Sequence, residues 1–97
     1  MPYAILLAPE AIADLKKLKV PLRSDVRDAI STHLRHQRAR TSRSRIKRLR
    51  GVSRPQYRLR VGDVRVFYDI SGDTVEILAI IQKLEAASWL AQFGKAE

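Results

Sequence analysis

Ninety-seven residues, 45% of them hydrophobic and 30% charged, allow one modest core and leave no material for a second. There is no cysteine, which excludes a disulfide framework, a cysteine nucleophile and thiolate zinc sites. No run of about 18 apolar residues or basic-headed apolar leader occurs either, so a single soluble cytoplasmic domain over residues 1–97 is expected. The net charge of +9 is local: eleven of the nineteen Lys and Arg residues lie between Ala29 and Gly62, where no Asp or Glu occurs, and the rest of the chain carries about −2. A one-signed block of this size opposes compact folding unless a polyanion neutralises it, and nucleic acid is the commonest polyanion available to a small protein.

The chain opens on an apolar segment at residues 3–7, read as a strand. Ala8-Pro9-Glu10 then gives a helix start, with proline in the first turn followed by an acid. Ile12, Leu15 and Leu18 recur at three-residue spacing and predict an amphipathic helix of about ten residues. Pro21 breaks it and opens a second helix, whose apolar stripe is Leu22, Val26, Ala29 or Ile30, and Leu34, so the two helices form a hairpin. Residues 37–45 hold no apolar side chain larger than Ala39 and predict a mobile loop whose arginines reach outward.

Ile46 and Leu49 mark a short strand, and residues 51–55 are expected to turn. In the segment 56–61, Tyr57, Leu59 and Val61 alternate with Gln56, Arg58 and Arg60, which is the period of a half-buried strand. Gly62-Asp63 follows as a two-residue loop suited to a type II′ turn, and residues 64–70 resume the alternation. After a turn at Ser71-Gly72-Asp73, the nearly continuous apolar run at residues 75–81 predicts a strand covered on both faces. Residues 84–93 form a final helix ended by Gly94. The order β-α-α-β-β-β-β-α predicts an α+β fold: an antiparallel-dominated sheet of four to five strands, with an N-terminal helical hairpin on one face and a short C-terminal helix.

A two-residue loop at Gly62-Asp63 pairs Val61 with Val64, Arg60 with Arg65 and Arg58 with Phe67. Arg58, Arg60 and Arg65 then share the face away from the helical hairpin. Opposed like charges destabilise a strand pair, which an incoming phosphate relieves; alternatively the guanidiniums splay into water or pair with Asp69 and Glu76. Phe67, Leu78 and Ile80 are expected on the same face, needing cover from the last helix or from a partner. Trp89 and Phe93 read first as residues that seal that helix to the sheet. His33 and His36 sit at i, i+3 without a third ligand nearby, so they read as solvated helix histidines and no metal is expected.

The strand Ala-Ile after Tyr3, Ala13-Asp14-Leu15, Arg48-Leu49-Arg50-Gly51 and above all Tyr57-Arg58-Leu59-Arg60-Val61-Gly62-Asp63-Val64-Arg65-Val66-Phe67-Tyr68 resemble the RelE/ParE superfamily of type II toxins, over nearly the whole chain. The resemblance implies a RelE-like fold, similar to a microbial ribonuclease core. It also implies a cognate antitoxin as partner in a toxin-antitoxin hetero-oligomer, no cofactor and no membrane. In the RelE branch the target is messenger RNA on the ribosome, cut by attack of a ribose 2′-hydroxyl on the adjacent phosphate; in the ParE branch it is DNA gyrase, without cleavage. By position Arg58 and Arg60 match the two basic strand residues of the RelE branch, Arg65 its phosphate-binding arginine, and Lys83 a further cation after the last strand. These four are the catalytic candidates. Arg38, Arg40, Arg43, Arg45, Lys47 and Arg48 are the candidate RNA-backbone contacts, and Trp89 a surface on which a base can stack.

Two departures bear on the chemistry. Trp89 falls where a tyrosine is common, and an indole has no phenolic proton to exchange. Arginine does not deprotonate in proteins, so neither Arg58 nor Arg60 can act as a general base, which leaves Lys83, with Asp69 and Glu76 behind it.

Overall fold

A computed structural model of the chain describes residues 3–37 and 45–96. Strand β1 (Ala4–Leu7) leads into helix α1 (Pro9–Lys17), whose first turn needs no side-chain cap because Pro9 has no N–H to satisfy and Glu10 complements the helix dipole. The far end of α1 is held by Arg23, which donates from Nε to the Leu15 carbonyl (3.2 Å) and from one terminal nitrogen to those of Lys16 and Leu18 (both 2.9 Å). Helix α2 (Val20–Gln37) completes the hairpin, with Pro21 tolerated in its first turn.

The remaining elements are β2 (Ile46–Arg48), β3 (Val52–Arg54), β4 (Tyr57–Val61), β5 (Val64–Ser71), β6 (Thr74–Gln82), α3 (Lys83–Phe93) and β7 (Lys95–Ala96). Five strands form one sheet in the order β1-β6-β5-β4-β2, antiparallel except for the β1–β6 pair. The helical hairpin covers one face. Ala11, Leu15 and Leu18 of the α1 region and Val26, Ile30 and Leu34 of α2 are buried against Leu59, Val64, Val66, Tyr68, Val75 and Ile77. Each aliphatic side chain removed from water in this way contributes about 1.5–3 kcal/mol. Of the expected stripe on α1, Leu15 and Leu18 are buried but Ile12 is 43% exposed, because the helix turns its i, i+4 pair Ala11 and Leu15 to the core and Ala11 takes the inner place.

The predicted hairpin register holds residue for residue, with Val61 opposite Val64, Arg60 opposite Arg65 and Arg58 opposite Phe67. Gly62 has φ +56° while Asp63 keeps a negative φ, the pairing of signs that a type II′ turn uses.

Two expectations need correction. First, the expected turn at residues 51–55 contains strand β3, which pairs with β7; Ser53 Oγ lies 3.3 Å from both the Lys95 and Ala96 carbonyl oxygens, so the two short strands clasp the C-terminal region to the sheet's rim. Second, Ile80 belongs to the hairpin side and is 4% exposed. The β5–β6 register slips between Phe67/Ala79 and Tyr68/Ile77, leaving Leu78 as the extra residue of a bulge, and the slip reverses the alternation that carried Ile80 to the other face. Gly94 ends α3 as expected, at φ −69°; its need for glycine is one of approach, since an added Cβ would stand 2.6 Å from the Leu90 carbonyl oxygen.

The bulge has a dedicated partner. Asp14 Oδ2 of α1 accepts the Ile80 N–H at 3.0 Å. Hydrogen bonds from a backbone donor to a carboxylate contribute about 1.5–3 kcal/mol. Asp14→Ala should therefore destabilise the fold by about that amount in urea unfolding, with Asp14→Asn, which keeps an acceptor, losing less than half as much. Equal stability of the alanine variant and wild type would mean that the bulge holds itself.

Candidate functional site

The face of the sheet turned away from the helical hairpin has three zones. At the end near the Gly62-Asp63 turn it is cationic. Arg58 and Arg60 project from β4 and Arg65 from β5, and Lys47 of β2 stands directly opposite Arg58 in the β2–β4 ladder, so a row of Lys47, Arg58 and Phe67 crosses three strands. The Arg60 N–H bonds the Arg45 carbonyl at 2.8 Å, extending the β2–β4 pairing by one step.

Arg58 carries the strongest signal. Its Nε is buried and donates to nothing, the one buried side-chain nitrogen or oxygen among the described residues without a hydrogen-bond partner. Its pKa is lowered from the ordinary arginine value by burial first and then by the charges of Arg65 and Arg60. Arginine does not deprotonate in proteins, so loss of a proton does not relieve the repulsion. Arg60 is exposed.

Arg65 is placed differently from its neighbours. It is 8% exposed, and one terminal nitrogen donates to the carbonyls of Gly62 (2.8 Å) and Val64 (3.2 Å), so the guanidinium folds back over the hairpin turn. Lys83 opens α3 at the same end, exposed, with its N–H bonded to the Asp63 carbonyl at 2.7 Å.

The opposite end of this face is acidic and already neutralised. Asp69 and Glu76 face each other across β5 and β6, and Arg54 bridges them, with Nε 3.3 Å from Asp69 Oδ2 and a terminal nitrogen 3.0 Å from Glu76 Oε1. Asp69 Oδ1 also accepts the Gln56 N–H at 2.7 Å. These carboxylates therefore pair with Arg54, a residue the sequence reading passed over, and not with Arg58 or Arg60.

Between the two ends lies an apolar zone sealed by α3. The Trp89 ring lies nearly parallel to that of Phe67, with centroids 4.9 Å apart and 10° between planes, and Phe93 packs against Trp89 at 5.8 Å and 37°. Of the two covers considered for this face, the C-terminal helix supplies one, and Phe67 is 1% exposed beneath it.

Arg48 sits on the hairpin side of the sheet, its guanidinium 5.1 Å from the Tyr57 ring centroid, because β2 alternation turns it away from Lys47 and Arg58. Arg45 lies close enough to His33 that its charge, after burial, lowers the pKa of that imidazole. Arg38, Arg40 and Arg43 lie outside the described residues. Among the described residues no group of three or more His, Cys, Asp and Glu side chains is placed to hold a metal ion, and no helix is long and apolar enough to cross a membrane.

Lys47's place opposite Arg58 was available from parity once Ile46 was paired with Leu59. Arg54's role was not, since nothing in its neighbourhood marks a strand.

The fold is similar to that of several solved toxins. It superposes on the RelB-RelE antitoxin-toxin complex from Methanococcus jannaschii with a TM-score of 0.68 at 21% identity, covering 87% of this chain and 96% of that one. For the toxin-antitoxin complex RelBE2 from Mycobacterium tuberculosis the values are 0.65, 25%, 84% and 99%. For the chromosomal ParDE system from P. aeruginosa they are 0.62, 15%, 82% and 95%. No curated protein matches the chain. The family model described as "ParE toxin of type II toxin-antitoxin system, parDE" matches residues 5–86. With most of its length covered by that match and its fold shared with RelE and ParE toxins, this chain belongs to the ParE toxin family within the RelE/ParE superfamily of type II toxin-antitoxin systems.

Proposed function

We propose that this toxin acts on ribosome-bound messenger RNA in the cytoplasm, as an endonuclease whose substrate phosphate sits over Arg58 and Arg60. The carrying observation is the buried, unpartnered Arg58 Nε in a patch of mutually repelling guanidiniums, an arrangement that an oxyanion satisfies and that water-exposed arginines do not need. In the reaction the 2′-oxygen attacks the adjacent phosphorus, the bond to the 5′-oxygen breaks, and the proton lost by the 2′-hydroxyl is balanced by one gained at the leaving oxygen. Arg58 and Arg60 hold the phosphate in line and stabilise the charge that builds on it. Arg65, tied to the turn carbonyls, braces the hairpin and adds its field. With Asp69 and Glu76 engaged by Arg54, Lys83 and Lys47 are the lysines at this end that could exchange a proton.

A second reading is favoured by the match to the ParE model: inhibition of DNA gyrase by binding, without cleavage. In either case the partner is a cognate antitoxin. A groove of about 320 Å³, walled by Ile5, Leu7, Ile12 and Ile30 and rimmed by Lys16 and Arg27, suits an acidic amphipathic segment of it.

Primer extension on ribosome-associated message after induced expression, run beside a gyrase supercoiling assay, separates the readings. Cuts within translated codons with supercoiling unaffected are expected; blocked supercoiling with intact message would replace the nuclease with the gyrase inhibitor. RNA affinity should also fall steeply with salt, the slope of log K against log salt exceeding about 3 in magnitude, since each phosphate neutralised adds roughly 0.7 to 0.9. A slope near one would remove the polyanion interface altogether.

A further inference from the structure

Strand β4 carries one member of each of two like-charged pairs. Lys47 of β2 stands directly opposite Arg58, and Arg60 stands directly opposite Arg65 of β5. Either pair alone weakens its ladder, and here both fall within three residues of one strand. Opposed residues lie about 4.8 Å apart across the strands, and Arg58 and Arg60 about 6.7 Å apart along β4. Lys47 is therefore the diagonal neighbour of Arg60, with Arg58 at the corner between them.

Nothing in the fold compensates these charges. Among the described residues, the ion pairs to Asp69 and Glu76 come from Arg54, and none engages Lys47, Arg58, Arg60 or Arg65. The partners of Arg65 are neutral carbonyls, so its charge remains in the field of the others.

The count of charges bears on how many phosphates the face takes. A phosphodiester supplies one negative charge, so a single phosphate over Arg58 and Arg60 leaves Lys47 and Arg65 repelling what remains. Lys47 is exposed and stands on the side of Arg58 away from the hairpin turn, toward the sheet's edge strand β2. Its ammonium on a flexible stem binds phosphate as a point charge. The Arg58 guanidinium is a fork with donors on two edges, and its Nε has no partner in the protein, so it is suited to serve an anion on either side.

Resting on the RNA-acting reading above, we infer that this face holds two consecutive phosphates of one strand. The phosphate that is attacked lies over Arg58 and Arg60, its neighbour lies between Arg58 and Lys47, and the backbone crosses the sheet from β4 toward the β2 edge. Lys47 is thereby a substrate-binding residue, and the proton traffic falls to other groups.

Calorimetric titration of the full chain at low salt tests the spacing. The probes are 2′-deoxyuridine 3′,5′-bisphosphate, whose phosphates are one sugar apart, its isomer 2′-deoxyuridine 5′-diphosphate, whose phosphates share an oxygen, and the 3′-monophosphate. None has the 2′-hydroxyl that cleavage requires. The bisphosphate should bind about tenfold tighter than either of the others. Lys47→Met, which keeps the stem and removes the charge, should bring the bisphosphate to within about twofold of the monophosphate, while Arg58→Ala weakens all three. On ribosome-bound message, Lys47→Met should raise KM by about tenfold and Lys47→Arg should restore it, since a phosphate contact needs charge and not an exchangeable proton.

Equal affinity for the two isomers would mean that the face responds to charge and not to spacing. A bisphosphate no tighter than the monophosphate would confine the site to one phosphate, and a Lys47→Arg variant as impaired as Lys47→Met would make Lys47 the proton carrier. Each of these overturns the two-phosphate site, and with Arg58-dependent binding intact each leaves the RNA reading standing. Failure of every probe to bind removes both.

Discussion

Arg58→Ala is expected to lower message cleavage by about 10² to 10³ while leaving the folded state as stable as wild type or more so. The first half follows from the role of the guanidinium as a preoriented donor to charge that develops on the phosphate; loss of one such donor costs about 2.7–4 kcal/mol of transition-state stabilisation. The second half follows from its surroundings: a buried donor without a partner, in the field of Arg65 and Arg60, opposes folding in the free protein. Activity and stability should thus move in opposite directions, which is the pattern of a residue retained for ligand and not for structure. Single-turnover cleavage on stalled ribosomes gives the first quantity and thermal unfolding the second. An alanine variant that melts several degrees lower with its activity intact would make Arg58 a structural residue and return the phosphate to some other group. Arg65→Ala should contrast with it, losing stability along with activity, since its guanidinium serves the Gly62 and Val64 carbonyls.

The largest effect on stability is expected at Phe67. The ring is 1% exposed, sandwiched between the sheet and Trp89, and its removal leaves a cavity that the stiff central strand β5 closes only in part. Phe67→Ala should cost about 3–5 kcal/mol, a large fraction of the roughly 5–15 kcal/mol available to a domain. It should also release α3, none of whose residues is buried outright and which holds to the sheet chiefly through the Trp89 stack and the β3–β7 clasp. Denaturant unfolding measures the first consequence; a red shift of Trp89 emission in the still-folded variant measures the second. A loss below about 1 kcal/mol with unshifted emission would mean that the clasp alone positions the helix.

The β4–β5 hairpin was legible in the sequence to the residue because two local constraints agree there. A Gly-Asp loop of two residues leaves one register, and strict alternation of apolar and basic side chains marks which face is which. In β6 the second constraint is missing. Ile77-Leu78-Ala79-Ile80-Ile81 is apolar throughout, so its parity is not written in the chain, and the bulge at Leu78 is set by what packs on it, including the Asp14 carboxylate that takes the Ile80 N–H. The β3–β7 clasp was equally silent: two short segments with no periodicity of their own, brought together only when α3 lies down on Phe67.

For the candidate site the division runs along the same line. Composition and period two determined by themselves that this is a small α+β protein with a helical hairpin on one face of an antiparallel hairpin-rich sheet, and that Arg58, Arg60 and Arg65 share the other face, because charge and alternation are local properties of the chain. Which of those arginines is free to meet a ligand was decided by the tertiary structure. Arg65 folds onto carbonyls of its own turn, Asp69 and Glu76 are claimed by Arg54, Lys47 joins the row from β2, and the half-buried Arg58 is left with its buried Nε unpartnered. Hydrogen-bond satisfaction depends on which groups the whole fold brings within about 3 Å of one another, and spacing along the sequence does not encode it.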